Sequence, residues 1–222
     1  MFKPETHIIV IDGEPATGKN MLCFELSLIL LYNAQRTAIV VDVDSPLRET
    51  IKKRIQAIPQ LLTPTLLTRS EFYNEANKYQ AILIPKINAQ DELSIMASTY
   101  ITLLPKGKVA LQRFQKKREY FNALFELKKK IAATYNHSLN WVVCENNFKP
   151  QIINQPSAEL EKIAHLYGFR VSPPLNHRKP YKNNVTGISA QDKSLPILQK
   201  NLTYDDICAK REIVKLAEFI FN

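Results

Sequence analysis

The stretch His7-Ile-Ile-Val-Ile-Asp-Gly13-Glu14-Pro15-Ala16-Thr17-Gly18-Lys19-Asn20 decides how this chain is read. Its first half, His7 to Ile11, is an unbroken apolar run, as expected of a parallel strand covered on both faces. Its second half has the G-x4-G-K spacing of a phosphate-binding loop. Met21 to Tyr32 then carries apolar residues at helical spacing, so the loop joins a strand to a helix, the context a phosphate cradle needs. Backbone N–H groups of the loop and of the helix N-terminus would face a phosphate, and Lys19 would reach its oxygens as a point charge. The plain alternative is an ordinary strand-turn-helix connection with a surface lysine. Three residues depart from the pattern. Asn20 stands where Ser or Thr would offer magnesium a hydroxyl. Pro15 removes one N–H from the cradle. Glu14 places a negative charge beside the phosphates.

Outward from the loop, strands and helices alternate. Thr37 to Asp44 is a β-branched run and predicts a second strand, and Leu47 to Ile58 a basic amphipathic helix stopped by Pro59. The polar stretch after Pro64 predicts a loop. Ala81 to Ile84 predicts a strand ended by Pro85, Tyr100 to Leu104 another, and Gln115 to Tyr135 one long helix. Trp141 to Cys144 predicts a fifth strand, Ser157 to Tyr167 a helix between a serine cap and Gly168, and Phe169 to Ser172 a sixth strand. Residues 176–196 predict an ordered loop or short linker, and Asp205 to Phe221 a closing helix. The pattern specifies an α/β domain over residues 1–222, a doubly wound, mostly parallel sheet.

Composition narrows the classes. At 222 residues and 45% hydrophobic the chain can bury an ordinary core. Thirty Lys and Arg against 21 Asp and Glu give a formal charge of +9, which invites an anionic partner. Residues 106–130 hold nine basic and two acidic residues. There, Lys117, Arg118 and Lys128 to Lys130 predict a basic stripe beside Phe114, Tyr120 and Phe121, able to track a phosphate backbone or else simply a solvated helix face. Cys23, Cys144 and Cys208 lie far apart, without the spacing of a disulfide framework or zinc site, and point to a reducing compartment. The start lacks the apolar run of a signal peptide, and the longest apolar stretch, Leu22 to Tyr32, is too short to span a bilayer, so a cytoplasmic location is expected. His7, His137, His165 and His177 share no metal-ligand spacing. Trp141 reads as core.

With Asp42-Val43-Asp44 added to the loop, the chain resembles the ParA/MinD family of deviant Walker ATPases, and within it the MipZ type that positions the division plane in alphaproteobacteria. The resemblance runs through IIVIDGEPATGKN, LILLYNAQRTAIVVDVDSPLR, NWVVCENN, GFRVSPPLNHRKPYKNNVTGISAQD and the closing AKREIVKLAEFI, and is poor over residues 59–100. It implies a P-loop NTPase fold, ATP and magnesium as ligands, an ATP-dependent homodimer and slow hydrolysis. It also implies non-specific DNA binding at the nucleoid, a ParB-like partner and inhibition of an FtsZ-like protein.

Carried over by residue, the resemblance places nucleotide on Gly13, Glu14, Pro15, Ala16, Thr17, Gly18, Lys19, Asn20 and Met21. Lys19 matches the Walker A lysine, Glu14 the family's signature lysine with its charge reversed, and Asn20 the magnesium Ser/Thr. Asp44 matches the carboxylate that positions the attacking water, and Asp42 the acidic residue two before it, a magnesium candidate. Asn146 matches an adenine contact, and Arg178 falls near the base and ribose. The Walker B segment, Tyr79 to Asn88, has no aspartate at its strand end. Other readings stay open: Asp44 with Ser45-Pro46 as a helix cap, and Asn146 as a turn residue. At the level of function they are a pseudo-ATPase that binds DNA or protein without hydrolysis, and, remotely, a P-loop kinase of small molecules.

Overall fold

Seven parallel strands form one sheet in the order β3-β2-β4-β1-β5-β6-β7, and the chain's N-terminal strand lies at its centre. The computed structural model describes residues 6–85, 91–146, 157–176, 178–182, 187–196, 198 and 202–221. The strands are β1 (His7–Gly13), β2 (Thr37–Val40), β3 (Thr65–Leu67), β4 (Ala81–Pro85), β5 (Thr99–Pro105), β6 (Asn140–Asn146) and β7 (Arg170–Val171). The helices are α1 (Lys19–Tyr32), α2 (Pro46–Ala57), α3 (Arg69–Glu75), α4 (Lys108–Gln115), α5 (Arg118–Tyr135), α6 (Ala158–Tyr167), α7 (Lys179–Lys182) and α8 (Tyr204–Phe221). The two edge strands are the shortest, three and two residues, which limits edge-to-edge pairing.

Strand alternation sorts the apolar residues onto two faces. Ile9, Ile11, Ile39, Leu83, Ile101 and Leu103 pack beneath α1, α2 and α8. Ile8, Val10, Ala38, Ile82, Tyr100 and Trp141 pack beneath α3, α4, α5 and α6. Both faces are covered, so the strands read as continuous apolar runs rather than as alternating ones. The helix α1 is buried all round from Leu22 to Leu30, including Glu25 and Ser27.

The α/β class and the parallel sheet agree with the sequence reading, and five local expectations change. β2 ends at Val40, so Asp42 and Asp44 lie in the turn beyond it. The stretch after Pro64, expected as a loop, forms β3 and α3, because Thr68 and Glu71 make a reciprocal capping box. The helix expected over Gln115 to Tyr135 starts only at Arg118, as α5, and a separate helix that was not expected, α4, precedes it; the two part at Lys117, where ψ is 57°. The sixth expected strand shrinks to Arg170–Val171. The expected loop at 176–196 contains α7 and a short turn at Asp192–Ser194. His177 and residues 86–88 lie outside the described residues.

The expected aromatic partners of the basic stripe are core residues. Phe114 and Phe121 are buried and stack edge-on, and Tyr120 turns its hydroxyl toward the sheet, so these rings are not offered to a nucleic acid. Trp141 is core, as expected, and donates from its indole nitrogen to Thr102 Oγ1 at 3.0 Å. Cys23, Cys144 and Cys208 are free thiols, and burial pushes that of Cys144 up to about 12. No helix among the described residues is long and apolar enough to cross a membrane.

Candidate functional site: a phosphate loop at the sheet switch point

Chain order reverses at β1. The strands β2 to β4 lie on one side of it and β5 to β7 on the other, so a crevice opens above the carboxyl ends of β4, β1 and β5. A cleft of about 570 Å³ occupies that position, within the range of small-ligand sites. Among the residues lining it are Gly13, Glu14, Pro15, Lys19, Asn20, Asp42 and Asp44.

The loop after β1 is held by its own chain and by β6. Thr17 donates from Oγ1 to the Glu14 carbonyl at 2.8 Å and closes a turn. Ala16 sits in the left-handed region at φ 61°. Gly18 takes φ 92°, and a Cβ there would come within 2.9 Å of Asn146 Nδ2. That amide, at the end of β6, donates to the Thr17 carbonyl at 2.8 Å and is buried. Lys19, the first residue of α1, folds back so that Nζ donates to the carbonyls of Gly13 and Glu14, each at 2.8 Å. Burial lowers the Lys19 pKa, and the charge of Asp12 opposes that shift.

Glu14 is not the bare negative charge its position in the sequence implies. Lys117 Nζ, at the break between α4 and α5, donates to Glu14 Oε1 at 2.8 Å. That hydrogen bond, more than burial, sets the direction of the Glu14 carboxyl, which is held below its ordinary value. The sequence reading put Lys117 on a basic helix stripe rather than in the cleft, because only the helix break aims it there.

It missed a buried cluster beneath the loop. Asp12, the residue before Gly13, accepts from Tyr100 Oη at 2.8 Å, Tyr120 Oη at 3.1 Å and the Gly13 N–H at 2.7 Å. Burial raises the Asp12 pKa against these three donors and Lys19. A lone aspartate interrupting an apolar strand end was the available signal. Arg69 was missed too. It starts α3, lines the cleft, and pairs with Asp91 at 2.6 Å and with Asp42 at 3.7 Å.

The remaining expected residues divide. Asp42, Val43 and Asp44 are exposed at the cleft mouth, with Val43 at 83%. Ser45, not Asp44, caps α2, accepting from Leu47 N at 3.4 Å with Pro46 in the first helical turn. Met21 packs against the core beneath α1. Arg178 does not line the cleft: its guanidinium is bound by Glu212 at 2.6 Å and by Asp205 at 3.2 Å, both on α8. A phosphate fits the loop, since Lys19 and the α1 N-terminus converge there. A resident magnesium fits less well. Both Asp12 oxygens accept protein donors, Asp42 faces a guanidinium, and no three His, Cys, Asp or Glu gather among the described residues.

The strand-loop-helix, its lysine and its place at the switch point define a P-loop domain of the doubly wound parallel class. Solved structures share this fold. The chain is similar to the MinD cell division protein of Aquifex aeolicus at 12% identity, covering 97% of each chain with a TM-score of 0.58. It is similar to the septum site-determining protein MinD of Pyrococcus horikoshii, complexed with Mg-ADP, at 16% identity over 97% of this chain and 96% of that one, TM-score 0.55. It is also similar to the ATP complex of a McdA variant from Cyanothece, at 15% identity over 96% and 98% of the two chains, TM-score 0.54. No protein-family model matches the sequence, and no curated protein matches it. At these identities the likeness is one of fold.

Proposed function

We propose that this chain binds adenine nucleotide at the phosphate loop and acts as an ATP-dependent dimerisation switch in the spatial regulation of cell division and chromosome partitioning. The observation that carries the reading is Lys19, whose ammonium lies inside the loop on the carbonyls of Gly13 and Glu14. Those acceptors are what a lysine uses when no phosphate is present, and Lys19 exchanges them for the β and γ oxygens of a bound nucleotide. Gly13 to Met21 form the cradle, and Asn146 fixes its floor and is assigned to the base side; Arg178, bound by Glu212 and Asp205 away from the cleft, is given no part in it. Asp44, exposed at the mouth, is assigned to positioning water, and Asn20 and Asp42 to whatever magnesium arrives with the nucleotide. Neighbours of the same fold that carry Mg-ADP and ATP support the ligand class.

The partners assigned by this reading are a second copy of the chain, an FtsZ-like protein, a ParB-like protein and non-specific DNA. The fold neighbours support only the class of division and partition proteins. The test is calorimetric titration of the purified protein with ATP and ADP, with and without magnesium, beside Lys19→Ala. ATP binding that the variant loses is the expected result. A folded protein that binds neither nucleotide overturns the reading.

A second reading, a binding module without hydrolysis, is favoured by two observations. β4 ends in Ile84 and Pro85, neither able to support a metal ion, and no hydrogen bond among the described residues holds Asp44 in place. Magnesium-dependent turnover that disappears in Lys19→Ala refutes it.

A further inference from the structure

We propose that Lys117 is a second phosphate-contacting cation of the cleft, held at its mouth by Glu14, and that it favours a nucleoside triphosphate over a diphosphate. The inference rests on the nucleotide-binding reading above and assigns a residue that the loop motif does not contain.

Four observations carry it. Lys117 and Lys19 line the same cleft from two different elements, one just before α5 and one at the start of α1. The Lys117 ammonium meets Glu14 at 2.8 Å, so a loop residue of the wrong charge for a phosphate site positions one of the right charge. The first turn of α5 is anchored: three residues on from Lys117, Tyr120 Oη bonds to Asp12 and to Thr102 at 2.9 Å. The lysine therefore stands on a fixed base. Its side chain is 42% exposed, and Glu14 is its hydrogen-bond partner among the described residues. An ammonium has three N–H donors, so two remain to meet an incoming anion.

In a pair this exposed, attraction between Lys117 and Glu14 is worth little by itself. A polyphosphate carries several negative charges into the same space and competes well for the lysine. The contribution grows with ligand charge, which is the physical ground for preferring the triphosphate.

The test is calorimetry with ATP, ADP and inorganic tripolyphosphate on the full chain, comparing wild type, Lys117→Ala, Lys117→Arg and Lys19→Ala at two salt concentrations. The expected result is a loss in ATP affinity of roughly tenfold or more in Lys117→Ala, a smaller loss for ADP, and a shallower salt dependence. Lys117→Arg keeps the charge and stays within about threefold of wild type. If Lys117→Ala binds both nucleotides as wild type does while Lys19→Ala binds neither, the proposal falls and the nucleotide reading stands. Equal losses for ATP and ADP overturn the triphosphate assignment. If wild type binds no nucleotide and no tripolyphosphate, both fall.

Discussion

Asn146 Nδ2 donates to the carbonyl of Thr17 at 2.8 Å, fastening the end of β6 to the floor of the phosphate loop. The bond joins the outer half of the sheet to the one turn on which the ligand reading depends. Replacing Asn146 with Ala leaves a buried carbonyl without its partner. The expected cost is about 1–3 kcal/mol of stability, read as a lower urea midpoint with an unchanged slope. Nucleotide affinity falls with it, because the loop is no longer pre-formed.

Gly187 has φ 75°, and a Cβ there would meet the backbone of Arg54 at 2.4 Å. That backbone and the Thr50 carbonyl, which the Cβ would meet at 2.8 Å, are not movable side-chain tips. Gly187→Ala should therefore cost about 2 kcal/mol or more, combining left-handed strain with displacement of α2. Thermal unfolding checks this, and a variant as stable as wild type would mean the 187–196 segment packs differently.

Arg54 and Asp192 form an ion pair with both side chains fully buried. Arg54 also donates to the carbonyls of Leu62 and Gly187, and Asp192 accepts from Tyr32 and the Ser189 N–H. Arg54→Met strands a buried carboxylate and should cost about 3–5 kcal/mol. Adding Asp192→Leu should restore part of that loss. A double variant whose cost equals the sum of the single costs would show that the two charges are not coupled.

Glu25 is wholly buried in α1, with Oε2 accepting from Ser189 Oγ at 2.9 Å and Oε1 without a hydrogen-bond partner among the described residues. Burial pushes its pKa from 4.5 to about 7, and the charge of Asp192 adds to that against the Ser189 hydrogen bond. The folded chain thus holds the proton more tightly than the unfolded chain. The stability this supplies is fully present below 4.5 and is lost as pH rises through about 7. Glu25→Gln removes the titration and should flatten that part of the stability profile, a difference of about 3 kcal/mol at the alkaline end. Parallel profiles for the two proteins would show that Glu25 titrates normally.

The parallel sheet was legible because both of its faces are covered, which turns β1, β4, β5 and β6 into unbroken apolar runs. The loop was legible because G-x4-G-K between an apolar strand and an amphipathic helix is a fixed and recognisable spacing. β3 was not, because three residues on an edge carry too little apolar pattern to show a period. Its neighbour α3 did announce itself, through the Thr68 and Glu71 capping box, and that signal went unused. The break before α5 was hidden because Lys116, Lys117 and Arg118 continue a helical composition. Across that break Phe114 packs edge-on against Phe121, a contact that composition does not show. Asp12 and Lys117, two of the charged residues that line the cleft beside Lys19, acquire their meaning only from partners 88 and 103 positions away.

The Arg54–Asp192 pair spans 138 residues of chain, and this places a demand on synthesis. At about 5–20 residues per second, a ribosome that has just released α2 needs roughly 7–30 s to deliver the carboxylate that neutralises it. Through that interval the guanidinium has only water and the Leu62 carbonyl to satisfy it, and α1 lacks the segment that buries Glu25. A nascent chain arrested before Gly187 therefore carries the phosphate loop on a helix that is not yet clamped. Its ability to hold a ligand should arrive late, with the last 40 or so residues, rather than with the motif itself.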